Sequence, residues 1–202
     1  MARIISVVNQ KGGVGKTTTI INLASWLVEL GKCVLVIDID PQGNASSGLG
    51  IDHNNLKKGL YEVLLNDNIK IREVIKAYQA NFHILPSTPD LAGASIELVE
   101  IDNREFRLKE ELKSIENLYD FILIDNPPSL GLLTINGLTA AKELLIPVQC
   151  EYYSLEGLSQ LLNTVRLIQN NLNPTLDIEG VLITMYDSRL NLSNQVVSEV
   201  KQ

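Results

Sequence analysis

Residues 4–18 read Ile-Ile-Ser-Val-Val-Asn-Gln-Lys-Gly-Gly-Val-Gly-Lys-Thr-Thr. A β-branched apolar run ends at Val8, a glycine loop follows, and a helical pattern begins at Thr17. Strand, glycine loop and helix, in that order, are what a phosphate-binding loop needs. Glycines let backbone N–H groups crowd around phosphate oxygens, and the positive end of the next helix faces them. The pattern G-x-x-x-x-G-K-[ST] is met at Gly15, Lys16 and Thr17, whereas Gln10 stands at its first glycine position. In such a loop Gly12 to Thr18 contact the phosphates: Gly12, Gly13, Val14 and Gly15 through the backbone, Lys16 by reaching the β- and γ-phosphates. The Thr17 hydroxyl ligates Mg²⁺ and Thr18 opens the helix beside it. A glycine-rich turn without a ligand is the rival reading, and the strand before and helix after weigh against it.

Working outward, five more short apolar runs follow: Val34–Ile37, Phe82–Leu85, Phe121–Ile124, Leu144–Val148 and Gly180–Ile183. Most are continuously apolar rather than alternating, as in strands covered on both faces. Helical patterns are predicted over 17–30, 59–77, 91–116, 131–142, 154–171 and 191–202, with Gly31 at a helix C-cap. Alternation of this kind predicts an α/β fold, a three-layer sandwich with a mostly parallel sheet flanked by helices. Ligands in such sheets bind at the carboxyl ends of the strands.

Carboxylates stand at two of those ends. The second run continues Asp38-Ile39-Asp40-Pro41-Gln42-Gly43-Asn44, and alternate residues of a strand share a face, so Asp38 and Asp40 can point together. An Asp-Pro-x-Gly turn accounts for Asp40 alone but not for Asp38 at the end of an apolar run. The fourth run ends Ile124-Asp125-Asn126-Pro127-Pro128-Ser129-Leu130-Gly131. An acid there fits a Mg²⁺-holding position beside a phosphate loop, although strands often end in Asp.

Lys11 to Thr18 resembles the deviant Walker A loop KGGxGK[ST] of the family that includes ParA partition ATPases, MinD, the nitrogenase iron protein and arsenite-pump ATPases. Asp38 to Asn44 resembles the family's DxDPQGN switch element. Asp125 to Gly131 resembles its DxPPSLG element, with Asn126 where cysteine or threonine is usual. The resemblance implies a P-loop NTPase of the deviant Walker A class with ATP and Mg²⁺ as cofactors. It implies that Lys11 reaches across a dimer interface to the partner's nucleotide, that Asp38 and Asp125 support the metal, and that Asp40 orients the attacking water. Without the family, Lys11 reads as a solvated loop lysine.

Within the family, neither Cys33 nor Cys150 follows a switch motif as cluster ligands do, which sets aside the nitrogenase branch. One phosphate loop sets aside the doubled arsenite ATPases, and no basic amphipathic C-terminal stretch supports MinD. Pro147-Val148-Gln149-Cys150-Glu151-Tyr152-Tyr153-Ser154-Leu155-Glu156-Gly157 resembles the P-x-Q-x-E-x-x-x-L-E-G segment of ParA/Soj-type partition ATPases. Thr184 to Ser193 also matches that branch. The resemblance spans nearly the whole chain. It implies an ATP-driven homodimer that binds DNA without sequence preference and is released when a ParB-type centromere-binding partner stimulates slow hydrolysis. Arg189 falls at the position associated with DNA contact, with Arg166 and Lys201 as weaker candidates. Alternatively Arg189 is an exposed arginine paired with Asp187.

The chain has 202 residues, 45% apolar and 20% charged, enough for a sizeable core. Its formal charge of −7 argues against a protein that coats nucleic acid constitutively, and suits binding only when two subunits bring scattered cations together. The cysteines form no CxxC pair, and no signal peptide or membrane span is predicted, so a cytoplasmic protein without membrane contact is expected; the family resemblance implies that it associates with the nucleoid. One P-loop ATPase domain over 1–202 is expected, lacking C-terminal elements that family members carry. A MinD-like positioning ATPase, a metabolic P-loop enzyme and a nucleotide-gated binding module remain alternatives. His53 and His83, the two histidines, have no catalytic setting, and His83 reads as structural.

Overall fold

Seven strands form one sheet in the computed structural model, which describes residues 1–151 and 154–201. They are β1 (Arg3–Val7), β2 (Val34–Asp38), β3 (Lys76–Gln79), β4 (Phe82–Leu85), β5 (Phe121–Asp125), β6 (Glu143–Gln149) and β7 (Asp177–Thr184), in the order β3-β4-β2-β5-β1-β6-β7. Every pairing is parallel except β3 with β4. The helices are α1 (Lys16–Glu29), α2 (Asn44–Gly48), α3 (Leu60–Leu65), α4 (Ile71–Val74), α5 (Leu91–Glu97), α6 (Arg107–Leu112), α7 (Leu132–Ala140), α8 (Ser154–Asn171) and α9 (Asn191–Val200).

The expected three-layer α/β sandwich is what the chain adopts. Val7, Val34, Val36 and Leu123 bury one sheet face against Ile20 and Ala24 of α1. Ile4, Leu35, Ile37, Ile122 and Ile124 bury the other against Leu133 and Leu138 of α7 and Leu161 and Val165 of α8. Strands buried on both sides need both residue parities apolar, which explains their continuous runs. Gly31 closes α1 as expected, its N–H bonding Val28 while Lys32 N–H bonds Leu27.

Two predicted helices are corrected. The stretch 59–77 breaks after α3 at Asn66-Asp67-Asn68, where the Asn66 side chain accepts the Asn68 N–H at 3.0 Å. Such local bonds compete with the helical ladder. After the single turn of α4, the chain becomes the antiparallel edge strand β3. The stretch 91–116 breaks at Asn103, which takes a left-handed backbone (φ 55°) between α5 and α6. Asn tolerates that conformation better than most residues. The last predicted strand also begins three residues early, at Asp177 rather than Gly180.

The register places the site. Asp125 sits opposite Val7 on one side and Asp38 on the other, so the central three strands end together. All the expected phosphate, switch and metal residues leave the sheet from that one edge.

Candidate nucleotide site

The loop after β1 is held from below and from the side. Asn9 is buried; its Oδ1 accepts the Lys11 N–H at 2.9 Å and its Nδ2 donates to the Pro147 carbonyl at 2.7 Å. Thr184 Oγ1 donates to the Val14 carbonyl at 2.9 Å, so the end of β7 braces the loop. Gly13 (φ 75°) and Gly15 (φ 89°) take left-handed backbones that other residues adopt at a cost. The first helical bond runs from Thr19 N–H to the Gly15 carbonyl. The N–H groups of Lys16, Thr17 and Thr18 therefore lack intrahelical acceptors where the helix dipole is positive.

These groups open on a cavity of about 400 Å³ lined by Gly12, Gly13, Gly15, Lys16, Thr17 and Thr18 of the loop. Asp40, Gln42, Asn44, Pro128 and Met185 complete its wall. Lys16 is buried, and its Nζ donates to the Lys11 carbonyl at 3.2 Å. Desolvation lowers its pKa, and Asp125 and Asp40 oppose that shift only in part. Thr17 Oγ1 donates to Asp125 Oδ2 at 2.7 Å, while Asp125 Oδ1 is buried without a partner. A hydroxyl beside a carboxylate oxygen with unused capacity suits Mg²⁺, which takes few protein oxygens and completes its shell with water and phosphate.

Four predicted phosphate, switch and metal residues stand outside that wall, and one of them, the buried Asp125, reaches it through the Thr17 hydroxyl. Val14 is a buried core side chain and offers the cavity only its backbone. Lys11 turns aside to pair with Glu151, both side chains remaining partly exposed. Asp38 is buried behind the cavity: its Oδ2 accepts the N–H and the Oγ–H of Ser46, each at 2.7 Å, and its Oδ1 accepts the Asp40 N–H at 3.3 Å. Asp38 thus anchors the loop that carries Asp40. Asp40 is buried, its Oδ1 accepting the Gln42 N–H at 3.0 Å and its carbonyl accepting that of Gly43, which is the expected Asp-Pro-x-Gly turn.

Arg189 lies away from the cavity, 87% exposed in its side chain, and pairs with Asp187 at 2.6 Å. Of the partition-type segment 147–157, Tyr152 and Tyr153 lie outside the described residues. Sequence reasoning missed Asn9, Ser46 and Met185. Asn9 and Ser46 act through partners far along the chain or across a loop. Met185, inside the Thr184–Ser193 segment, enters the wall with a left-handed backbone (φ 52°) unusual for its type.

Burial, then the neighbouring charges, pushes Asp125 up to about 7 and Asp38 up to about 6. Both lie above the ordinary carboxylate range near ~4, so the folded state binds these protons more tightly than the unfolded state. Stability therefore falls as pH rises through the interval from about 4 to about 7, and the penalty is complete above it. The nucleotide- and Mg²⁺-free protein is expected to melt at a lower temperature at about pH 8 than at about pH 5.5, and Mg²⁺ with nucleotide is expected to shrink the difference. Equal melting temperatures in the apo protein contradict these two burials.

The fold and this loop define a P-loop nucleoside triphosphatase of the deviant Walker A class. A family model described as an AAA domain matches residues 2–178. The chain is 57% identical over 203 residues to the sporulation initiation inhibitor protein Soj of Bacillus subtilis (strain 168), spanning 100% of this chain and 80% of that protein. It is 55% identical over 202 residues to the chromosome partitioning protein ParA of Myxococcus xanthus (strain DK1622), spanning 100% and 71%. A crystal structure described as cobyrinic acid a,c-diamide synthase from Mycobacterium smegmatis, with bound ATP analog and magnesium, matches with a TM-score of 0.95 and 41% identity, over 100% of this chain and 82% of that one. This chain belongs to the ParA/Soj family of P-loop ATPases.

Proposed function

We propose that this ATP-dependent partitioning ATPase works as a nucleotide-timed DNA clamp. The observation that carries the reading is the Thr17–Asp125 pair beside the loop cavity, with Asp40 in the same wall. ATP enters with Mg²⁺. The loop backbone from Gly12 to Thr18 and Lys16 bind its phosphates, Thr17 and Asp125 hold the ion, and Asp38 supports it from behind. Asp40 orients the attacking water. Lys11 completes the site of a second copy: its side chain already leaves its own phosphate cradle, and its pair with Glu151 is a surface pair that exchanges readily. Two copies closed over two nucleotides form the DNA-binding state, a ParB-type partner accelerates hydrolysis, and the opened subunits leave. Residues 1–202 act as one P-loop ATPase domain. Among the described residues no helix is long and apolar enough to cross a membrane, and the proposed location is the cytoplasm, on the nucleoid.

Arg189 supplies DNA contact. Its pairing with Asp187 fits the alternative reading of an exposed arginine, yet a solvent-exposed pair yields easily to a phosphate. The experiment is a duplex-DNA titration by fluorescence anisotropy with ATP, ADP or no nucleotide, at low and moderate salt, beside sedimentation of the same samples. DNA binding and a dimer with ATP alone are expected, with affinity falling steeply as salt rises. Arg189→Glu is expected to keep ATP affinity and lose DNA binding; unchanged DNA affinity removes Arg189 from the interface. The name of the Mycobacterium smegmatis structure favours a second reading, a metabolic synthetase. ATPase rates measured with and without DNA separate the two, because a synthetase does not respond to DNA.

A further inference from the structure

Asp125 and Asn126 point to opposite faces of the sheet, Asp125 with Leu123 toward α1 and Asn126 with Ile124 toward α7. Asn126 is fully buried. Its Nδ2 turns two hydrogens toward three acceptors, Ser6 Oγ at 2.7 Å, the Val7 carbonyl at 3.0 Å and the Ile124 carbonyl at 3.2 Å, which share them. The two carbonyls, which can only accept, assign that atom as the nitrogen. One side chain thus ties the end of β5, which carries Asp125, to the end of β1, from which the phosphate loop departs.

The Asn126 Oδ1 is buried without a partner. It faces Gly137, in the middle of α7. A Cβ on Gly137 would lie 2.3 Å from that oxygen and 3.3 Å from Cγ. Gly137 is not among the residues with a left-handed backbone, and glycine is a poor residue for a helix interior. The space it leaves for the carboxamide accounts for its presence.

We infer that Asn126 is a positioning residue for the Thr17–Asp125 pair, and that Gly137 is its steric complement. This rests on the proposed Mg²⁺ role of Asp125. With the tie cut, the end of β5 is free to shift against the phosphate loop, and Mg²⁺, which demands near-ideal octahedral geometry, registers small shifts. Partners that orient metal ligands commonly cost about tenfold or more in metal affinity when removed.

The test follows binding of a fluorescent ATP analogue to the full chain while Mg²⁺ is varied, with thermal melts alongside. Asn126→Ala is expected to raise the Mg²⁺ concentration at half-saturation about tenfold, with metal-free nucleotide affinity kept within about twofold. Gly137→Ala is expected to give a similar rise by displacing the carboxamide. The double variant is expected to be no worse than Asn126→Ala, because the clash is gone. An Mg²⁺ titration unmoved by Asn126→Ala, or single effects that multiply in the double variant, overturns the inference. Should Asn126→Ala fail to fold, Ser6→Ala removes one acceptor and is expected to raise half-saturation in the same direction; no rise there overturns it equally. Asp125→Asn is the control and is expected to abolish the Mg²⁺ dependence. If it does not, the metal role of Asp125 falls and the inference with it. If it does while Asn126→Ala titrates like the parent, the positioning inference alone falls.

Discussion

Lys16→Ala is expected to lower Mg²⁺–ATP affinity by about 10² to 10⁴ and to abolish turnover. A hydrogen bond to a charged group contributes about 1.5–3 kcal/mol. The Lys16 ammonium is proposed to make two of them, to the β- and γ-phosphates, and the sum of about 3–6 kcal/mol converts to that range. The structure supports a large effect. Lys16 is buried, and its charge is already partly desolvated before nucleotide arrives. Its Nζ is held by the Lys11 carbonyl at the mouth of the loop, so little side-chain freedom remains to be lost on binding. Isothermal titration with ATP and Mg²⁺ measures the loss. A melt of the apo variant within a few degrees of the parent separates it from misfolding. Affinity within tenfold of the parent shows that the loop backbone and helix terminus carry the phosphates and that Lys16 adds little.

Asp40→Ala is expected to slow hydrolysis by at least about 10², the contribution usual for a positioned proton acceptor or water-orienting group. Nucleotide affinity is expected to stay within a few-fold, leaving the ATP-bound dimer to accumulate on DNA. Asp40 is placed for this task by two layers of support. Its turn is closed by the Gln42 and Gly43 N–H groups, and the turn is pinned to the sheet by Asp38 and Ser46. Single-turnover hydrolysis and DNA residence time check the two halves of the expectation. Hydrolysis at the parental rate removes Asp40 from the water-positioning role, whatever the nucleotide affinity.

Much of this was legible along the chain, for local reasons. The phosphate loop can be read because its geometry is written in adjacent residues. Gly13 and Gly15 license the left-handed turns, Lys16 and Thr17 follow at fixed offsets, and the flanking runs announce strand and helix. The Asp40 turn is equally local. The six apolar runs lie in strands, because burial on both faces leaves a continuous signature. What escaped depends on partners distant in sequence. Lys76–Gln79 is exposed and polar enough to continue a helix, and it becomes a strand because β4 offers an edge to pair with.

Three further details follow the same rule. Asp38 reads as one of two matched carboxylates, yet packing leaves it behind the cavity wall with its oxygens bonded to Ser46 and the Asp40 N–H. Met185 joins the nucleotide cavity only because β7 lies next to β6, which brings residue 184 against Val14 across the sheet edge. Asn126 reads as a mild departure from a motif, and its meaning lies in Ser6, about 120 residues earlier, and in the space at Gly137. The chain alone carries the α/β class, the phosphate-loop motif and the carboxylates at the strand ends, since backbone conformation and residue type act over a few positions. Which carboxylate faces the cavity, which end of β7 braces the loop and what holds Asp125 in line are set when the strands assemble, because those contacts join residues that meet only in the folded sheet.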